Sequence, residues 1–225
     1  MSVKIFPINV GFDCCYVIKD EGVIMIDGGA PRKAPEFIKG LKNISIDPNE
    51  IQLIIITHGH WDHIGAVKEI QELTGAKILM HKNEKDWLEN GNPPLPPGIT
   101  LWGKAFASFM GALSFLIHIE IAKVDIVMGD NDFSLKEYGI SGKVMYTPGH
   151  SQGSLSVLLE SGETFVGDLA MNKFPLCLSP GLPIFADDLS LVKKSWNNLL
   201  DKGSKTIYPS HGEPFSAEIM RKAIL

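Results

Sequence analysis

One short segment, directly after the apolar run 54–56, holds three of the chain's seven histidines and an aspartate: Thr57-His58-Gly59-His60-Trp61-Asp62-His63. Side chains of an extended segment alternate between two sides, so we expect His58, His60 and Asp62 to lean the same way. His63 breaks this alternation, and the amphipathic run after it predicts the start of a helix. Four ligands from so short a segment do not fit comfortably around one small ion. The spacing therefore indicates two metal ions a few Å apart.

Three further chemical side chains follow other strand-like runs. His150 comes soon after the run 143–146, Asp168 after 163–166, and His211 after 206–208. Each of them stands beside a glycine, where backbone crowding is low and loops commonly carry function. Five of the seven histidines lie in these motifs, which predicts a shared site. Nitrogen and oxygen donors without cysteine suit zinc, with iron or manganese as alternatives.

In this order, the motifs resemble those of the metallo-β-lactamase superfamily: His-x-His-x-Asp-His at 58–63, Pro-Gly-His at 148–150, Gly-Asp at 167–168 and His-Gly at 211–212. The resemblance runs from about Val3 to Phe215, and the run Asp27-Gly28-Gly29 matches an early motif of the family. It implies a first metal held by His58, His60 and His150. It also implies a second metal held by Asp62, His63 and His211, with Asp168 bridging the two ions.

The resemblance further implies a hydrolytic chemistry. Two divalent ions would share a water, lower its pKa and supply a bridging hydroxide that attacks a carbonyl group. Asp62 would be the catalytic residue, because it would orient that hydroxide and take part in proton transfer to the leaving group. Asp27 and Thr57 are interpreted as residues that hold the ligand loops rather than as ligands.

Length and composition are those of one domain over residues 1–225, with 44% hydrophobic residues and a net charge of −5. The sequence has no basic stripe of the kind that binds phosphate backbones, so nucleic acid is not expected as a partner. The expected partner is a small-molecule substrate. The start of the chain carries no pattern of a secretory signal, and the adjacent Cys14 and Cys15 with the isolated Cys177 do not form a disulfide framework. These features predict a cytoplasmic protein.

Strand-like and helix-like runs alternate in two similar halves. Strands are predicted near 3–10, 14–19, 22–26, 51–56, 76–80, 124–128, 133–136, 143–146, 155–159 and 163–166, and helices near 31–41, 64–73, 83–88 and 187–200. This order predicts an α+β fold, the four-layer αββα sandwich of the family, in which two mixed β-sheets are flanked by helices.

An apolar insert at about 93–122 is the most individual part of the chain. It opens with the stiff run 93–97, and a helical stripe follows that includes Trp102, Phe106 and Phe109. The helix is too short to span a bilayer, so no stable membrane insertion is expected. Three roles remain open: packing on the sandwich or on a second copy in a homo-oligomer, a lid or wall over the metals, and contact with a membrane surface. A second apolar loop, 174–185, is expected to wall the pocket.

The favoured function is a dinuclear metal-dependent hydrolase that attacks an ester, thioester, lactone or amide with an apolar portion. One alternative is a mononuclear iron oxygenase similar to persulfide dioxygenases. Another is a non-catalytic metal-site protein that senses a ligand. Outside the motifs, His81 is interpreted as a surface or helix-capping residue and His118 as an interior histidine, and Ser151 and Ser154 as residues that stabilise a turn.

Overall fold

Two six-stranded sheets form the centre of the computed structural model, which describes residues 3–174, 177 and 180–224. The first sheet contains, in order, β1 (Lys4–Asn9), β2 (Cys14–Lys19), β3 (Val23–Ile26), β4 (Ile51–Ile55), β5 (Lys77–His81) and β6 (Ile126–Met128). The second contains β7 (Phe133–Ser134), β8 (Gly142–Tyr146), β9 (Leu155–Leu159), β10 (Glu163–Gly167), β11 (Thr206–Pro209) and β12 (Phe215–Ser216), again in order across the sheet. Both sheets are mixed: strands β3 to β6 are parallel, as are β10 and β11, and the other pairs are antiparallel.

Seven α-helices lie in the described part of the chain: α1 (Ala34–Asn43), α2 (Trp61–Ile64), α3 (Val67–Thr74), α4 (Lys85–Glu89), α5 (Leu101–Leu113), α6 (Leu189–Asp201) and α7 (Glu218–Ile224). Helix α1 has a proline in its first turn and buries Phe37 and Leu41 on one side. The side chain of Asp188 caps α6 by accepting hydrogen bonds from the backbone N–H groups of Ser190 and Leu191.

Three apolar layers hold these elements together. Between the sheets, Ile24 and Leu53 of the first sheet pack with Val157 and Phe165 of the second. Behind the first sheet, its outer residues pack against the helices α1 and α3. Behind the second sheet, α6 and α7 cover another cluster, centred on the fully buried Trp196. The helix–sheet–sheet–helix order confirms the predicted αββα sandwich.

The predicted helix over 64–73 is divided in two, which corrects the prediction from the sequence. Helix α2 ends at Ile64, and α3 begins only at Val67. The chain passes closely over another segment at this break, because a Cβ atom on Gly65 would lie 2.2 Å from the backbone nitrogen of Pro31. The apolar stripe continues across the break, so periodicity alone did not reveal it.

The insert forms α5, followed by a 3-10 turn over Ser114–Leu116. The helix includes the predicted stripe residues Trp102, Phe106 and Phe109, and the Thr100 side chain caps its start by accepting a hydrogen bond from the backbone N–H of Gly103. Its outward side is apolar and exposed, with Trp102 51% and Phe109 59% accessible. None of the described helices is long and apolar enough to cross a membrane.

We predict that Phe37→Ala lowers the free energy of unfolding by about 3–5 kcal/mol, since Phe37 is fully buried between α1 and the first sheet. The matched substitution Phe109→Ala, at an exposed site of α5, should change it by less than about 0.5 kcal/mol. Urea denaturation followed by circular dichroism measures both. Equal losses for the two variants would contradict the assignment of the core.

Candidate metal centre

The candidate ligands follow strands that end at one common edge of the sandwich. In the first sheet, β3 and β4 are parallel, and Asp27 and His58 come just after them. In the second sheet, β8, β10 and β11 all run in one direction, and the loops after them carry His150, Asp168 and His211. A 2.7 Å hydrogen bond from the backbone N–H of Leu155 to the carbonyl of Thr57 joins the two edges.

A first group consists of His58, His60 and His150, all buried, with one donor atom of each within 4.8 Å of the others. The Nε2 atom of His150 lies 3.2 Å from Nε2 of His58 and 3.0 Å from Nδ1 of His60. The other nitrogen of His150, Nδ1, lies 2.9 Å from the carbonyl oxygen of Phe185, which fixes the orientation of the ring. Three imidazole nitrogens thus point at one common position.

A second group consists of Asp62, His63 and His211. The Nε2 atom of His211 lies 3.4 Å from Oδ2 of Asp62 and 3.3 Å from Oδ2 of Asp168. Asp168 also approaches the first group, because its Oδ2 atom lies 3.8 Å from Nε2 of His150. The structure therefore brings all seven predicted site residues together, with Asp168 between the two groups.

Two unpaired polar atoms test whether this arrangement fits metal ions. Nε2 of His63 and Oδ1 of Asp168 are buried, lie 3.4 Å apart, and make no hydrogen bond within the described residues. Buried polar atoms are normally hydrogen-bonded, and those left unpaired call for an explanation such as a bound ion. Both are suitable ligand atoms for divalent cations. The residues present therefore fit a pair of divalent metal ions.

Burial and neighbouring charges divide the histidines into two classes. Burial and the neighbouring His150 lower the pKa of His60 to about 3, and burial also lowers the pKa of His58 and of His150. For His63 and His211, burial alone would lower the pKa. Carboxylates outweigh it: Asp27 and Asp168 raise the pKa of His63 well above its usual value, and Asp168 does the same for His211. Without metal, the three histidines of the first group are thus neutral, and the two histidines of the second group are protonated.

Asp27 joins two of the ligand-bearing segments, the one after β4 and the one after β11. Its carboxylate accepts hydrogen bonds from the backbone N–H and the hydroxyl of Thr57, lies 2.9 Å from Nδ1 of His63, and accepts a bond from the Ser210 hydroxyl at 3.0 Å. Its φ of 58° lies in the left-handed region, which aspartate tolerates better than most residues. These contacts are those expected for Asp27 and Thr57 as residues that hold the ligand loops.

Two buried carboxylates of the site escaped the sequence analysis. Glu84 accepts hydrogen bonds from the backbone N–H groups of Gly59 and Gly153, so it connects the loop of His58 and His60 to the loop of His150. Asp13 lies with Oδ1 3.3 Å from Nδ1 of His211. Neither residue belongs to a motif. The sequence indicated them only by position, because Glu84 closely follows β5 and Asp13 closely follows β1.

An apolar wall covers the candidate ligands. A cavity of about 40 Å³ is bounded by His60, Asp62 and Asp168 on one side and by Phe106, Met110 and Phe185 among others on the opposite side. The insert and the loop 174–185 thus both contribute to the pocket, as one of the alternatives for the insert proposes. Within that loop, Phe174 is exposed, and the predicted wall residues Pro175, Leu176 and Leu178 lie outside the described residues.

The remaining chemical residues are not among these groups of donors. His81, interpreted as a surface or helix-capping residue, is fully buried at the end of β5 and stacks on the ring of Tyr146. Its Nδ1 atom accepts a hydrogen bond from the backbone N–H of Asn83, shortly before α4. His118, expected in the interior, is exposed, because the chain after α5 runs over the surface. Ser151 and Ser154 hydrogen-bond to each other at 2.7 Å, as expected for residues that stabilise a turn. The three cysteines are free, in agreement with the expectation of no disulfide framework.

Comparison with solved structures shows the same fold. The crystal structure of BLEG-1 B3 metallo-beta-lactamase superimposes with a TM-score of 0.70 over 98% of this chain and 97% of that one, at 23% identity. The crystal structure of the archaeal superfamily protein ST1585 from Sulfolobus tokodaii gives a TM-score of 0.69 over 99% of this chain and 84% of the other, at 22% identity.

Sequence comparison identifies the family. The probable metallo-hydrolase YqgX of Bacillus subtilis (strain 168) is 29% identical over 161 residues, which are 68% of this chain and 64% of that protein. The chain thus spans somewhat less than two thirds of that relative. The family model of the metallo-beta-lactamase superfamily matches residues 9–211. The chain belongs to the metallo-beta-lactamase superfamily.

Proposed function

We propose that the protein is a dinuclear metal-dependent hydrolase that attacks the carbonyl group of an ester, thioester, lactone or amide with an apolar portion. One observation carries the proposal: two groups of three donors, each complete, lie on either side of the shared carboxylate of Asp168. His58, His60 and His150 would hold one ion, and Asp62, His63 and His211 the other. Zinc suits these donors best, although iron and manganese accept the same ligands.

The metal pair, when bound, supplies Lewis acidity and lowers the pKa of a water molecule to near neutrality. Proton transfer falls to residues of the chain. Asp62 is the candidate for proton transfer, because its side chain remains 18% accessible and borders the cavity. Burial alone would raise its pKa, but the contact with His211 and the charge of His63 lower it, so the carboxylate is ionised and can accept a proton.

The apolar wall supports the choice of substrate. Phe106 and Phe185 pack with their ring centroids 5.9 Å apart over the cavity, next to Met110. These side chains exclude water from the reacting group and favour an uncharged, apolar substituent beside the carbonyl. Phosphate or nucleotide substrates would instead call for arginine or lysine side chains, and no such residue is among the described residues that line this cavity.

The two alternative functions differ from the proposed one in measurable ways. A mononuclear iron oxygenase would need only one group of ligands, whereas here both groups have their donors in place. The oxygenase alternative predicts iron as the bound metal and oxygen uptake with a persulfide substrate. A ligand sensor predicts tight binding without turnover. Metal analysis of the purified protein, followed by an ester, thioester and lactone panel with that metal form, separates the three.

We predict that His60→Ala and His211→Ala each reduce the metal content from two equivalents per chain to about one, because each removes a donor of a different group. Hydrolysis should fall at least about 100-fold in both, since changes to residues behind the ligands alone cost about 10- to 100-fold. Mass spectrometry of the metal content and kcat/KM on the best ester measure the two effects.

The matched control for these variants is His118→Ala, because His118 is exposed and lies outside both groups of donors. It should retain two equivalents of metal and normal kcat/KM. Full metal content and activity in His60→Ala or His211→Ala would contradict the proposed site.

We also predict that the two ions differ in proton release at pH 7. The low pKa values of His58, His60 and His150 leave them neutral, so the ion held by that group displaces few protons. His63 and His211 are protonated without metal, because their pKa values are raised, and must lose these protons to bind an ion. Affinity for the second ion should therefore fall, as pH falls, by about tenfold per pH unit for each proton displaced.

Calorimetric titration of the metal-free protein with zinc, in buffers of different ionisation enthalpy, counts the protons released in each step. The variant His211→Ala is expected to bind only one ion, so the proton release of the second step should be absent from its titration. Equal proton release in both binding steps, or an affinity for the second ion that does not depend on pH, would show that the second group is not protonated.

A further inference from the structure

A second cavity adjoins the small cavity over the candidate ligands. It measures about 310 Å³, and two of its wall residues, Trp61 and Leu95, also line the cavity of about 40 Å³. Trp61 stands in the chain between the candidate ligands His60 and Asp62. A molecule that has its reacting group at the metal centre and extends past Trp61 therefore enters the larger cavity.

The floor of this second cavity is fixed by the core. Ile119 is 5% exposed and belongs to the cluster behind the first sheet, and Ile117 and Trp61 pack against the same cluster. The rim faces solvent by comparison, because Phe115 is 79% exposed and Ser114 is exposed as well. A volume of about 310 Å³ lies at the lower end of the range for small-molecule sites.

The chemistry of the wall restricts what can bind there. No acidic or basic side chain is among the described residues that line the cavity, and the polar side chains are those of Asn92 and Ser114. A charged group would lose its hydration without finding a partner of opposite charge. An uncharged hydrocarbon chain, in contrast, gains free energy from each methylene group that it buries against Phe115, Ile117 and Ile119.

We propose that this cavity, the tail subsite (Trp61, Leu95, Phe115, Ile117 and Ile119), binds the hydrocarbon tail of the substrate. The inference rests on the proposed hydrolase function and narrows its substrates to carbonyl compounds with an alkyl chain long enough to pass Trp61. The occupant is inferred from the neighbouring position of the two cavities: Trp61 and Leu95 line both, so the substrate proposed for the small cavity is the molecule whose tail lies nearest to the larger one.

Two pairs of matched variants test the tail subsite. Ser114→Trp places a large ring at the cavity wall, whereas Ser108→Trp makes the same change at an exposed position of α5 outside both cavities. Phe115→Asp introduces a charge at the rim, and Phe109→Asp introduces one at an exposed position away from it. All four positions are exposed, so folding should be retained.

In the metal-loaded wild type, kcat/KM for p-nitrophenyl octanoate should exceed that for the acetate by about tenfold or more, since roughly six additional methylene groups are buried. Ser114→Trp and Phe115→Asp should reduce this ratio to about threefold or less while the acetate is still hydrolysed. Ser108→Trp and Phe109→Asp should keep the ratio of the wild type. A ratio that is the same in all five proteins would overturn the proposal.

Binding of 1-octanol, observed by saturation-transfer NMR with metal-free protein, tests the tail subsite without turnover. The signal should persist in the two control variants and be lost in Ser114→Trp and Phe115→Asp. If octanol binds in this pattern but no ester is hydrolysed, the tail subsite stands and the proposed function fails. If esters are hydrolysed without dependence on chain length and octanol does not bind, the function stands and the tail subsite is wrong.

Discussion

One buried carboxylate, Asp27, joins the two sheets at the edge where the candidate ligands meet. Its partners come from two separate segments, because Thr57 and His63 follow β4 and Ser210 follows β11. An unpaired carboxylate at 2% exposure would be costly, and the hydrogen bonds from these loops offset that cost. The same bonds orient His63, since Nδ1 faces Asp27 and Nε2 faces Asp168. Positions of the ligands thus depend on the packing of one sheet edge against the other.

Charge balance imposes a second constraint on this region. Asp13, Asp62 and Asp168 lie within one site, and burial together with the nearby Asp62 raises the pKa of Asp13 to about 7. Protonated His63 and His211 compensate the carboxylates when no metal is bound. Divalent ions would take over that role while releasing the protons, so metal binding, protonation and stability are coupled. The unpaired atoms of His63 and Asp168 show where the protein by itself leaves this balance incomplete.

The candidate ligands could be predicted from the sequence because they lie in motifs of a few residues. The segment 57–63 and the glycine-flanked His150, Asp168 and His211 revealed the candidate site, because each follows a strand whose apolar run is visible locally. Contacts between distant parts of the chain left no such trace: Glu84 reaches Gly153 across 69 positions. For the same reason the surface position considered for His81 and the interior position predicted for His118 were wrong, since burial follows from packing. The short elements β12 and α7 were missed as well, because two to seven residues carry little periodicity.

The insert forms part of the wall beside the candidate ligands. The cavity next to His60 and Asp168 measures about 40 Å³, and Phe106 and Met110 of α5 border it. A substrate of the proposed kind would gain room if these two side chains moved aside. The helix is suited to such a movement, because much of its outer surface is exposed and Gly103 is its sole buried residue. Since these side chains are apolar, a substrate that replaced their contacts with its own apolar atoms would lose least, and such an opening would favour apolar substrates.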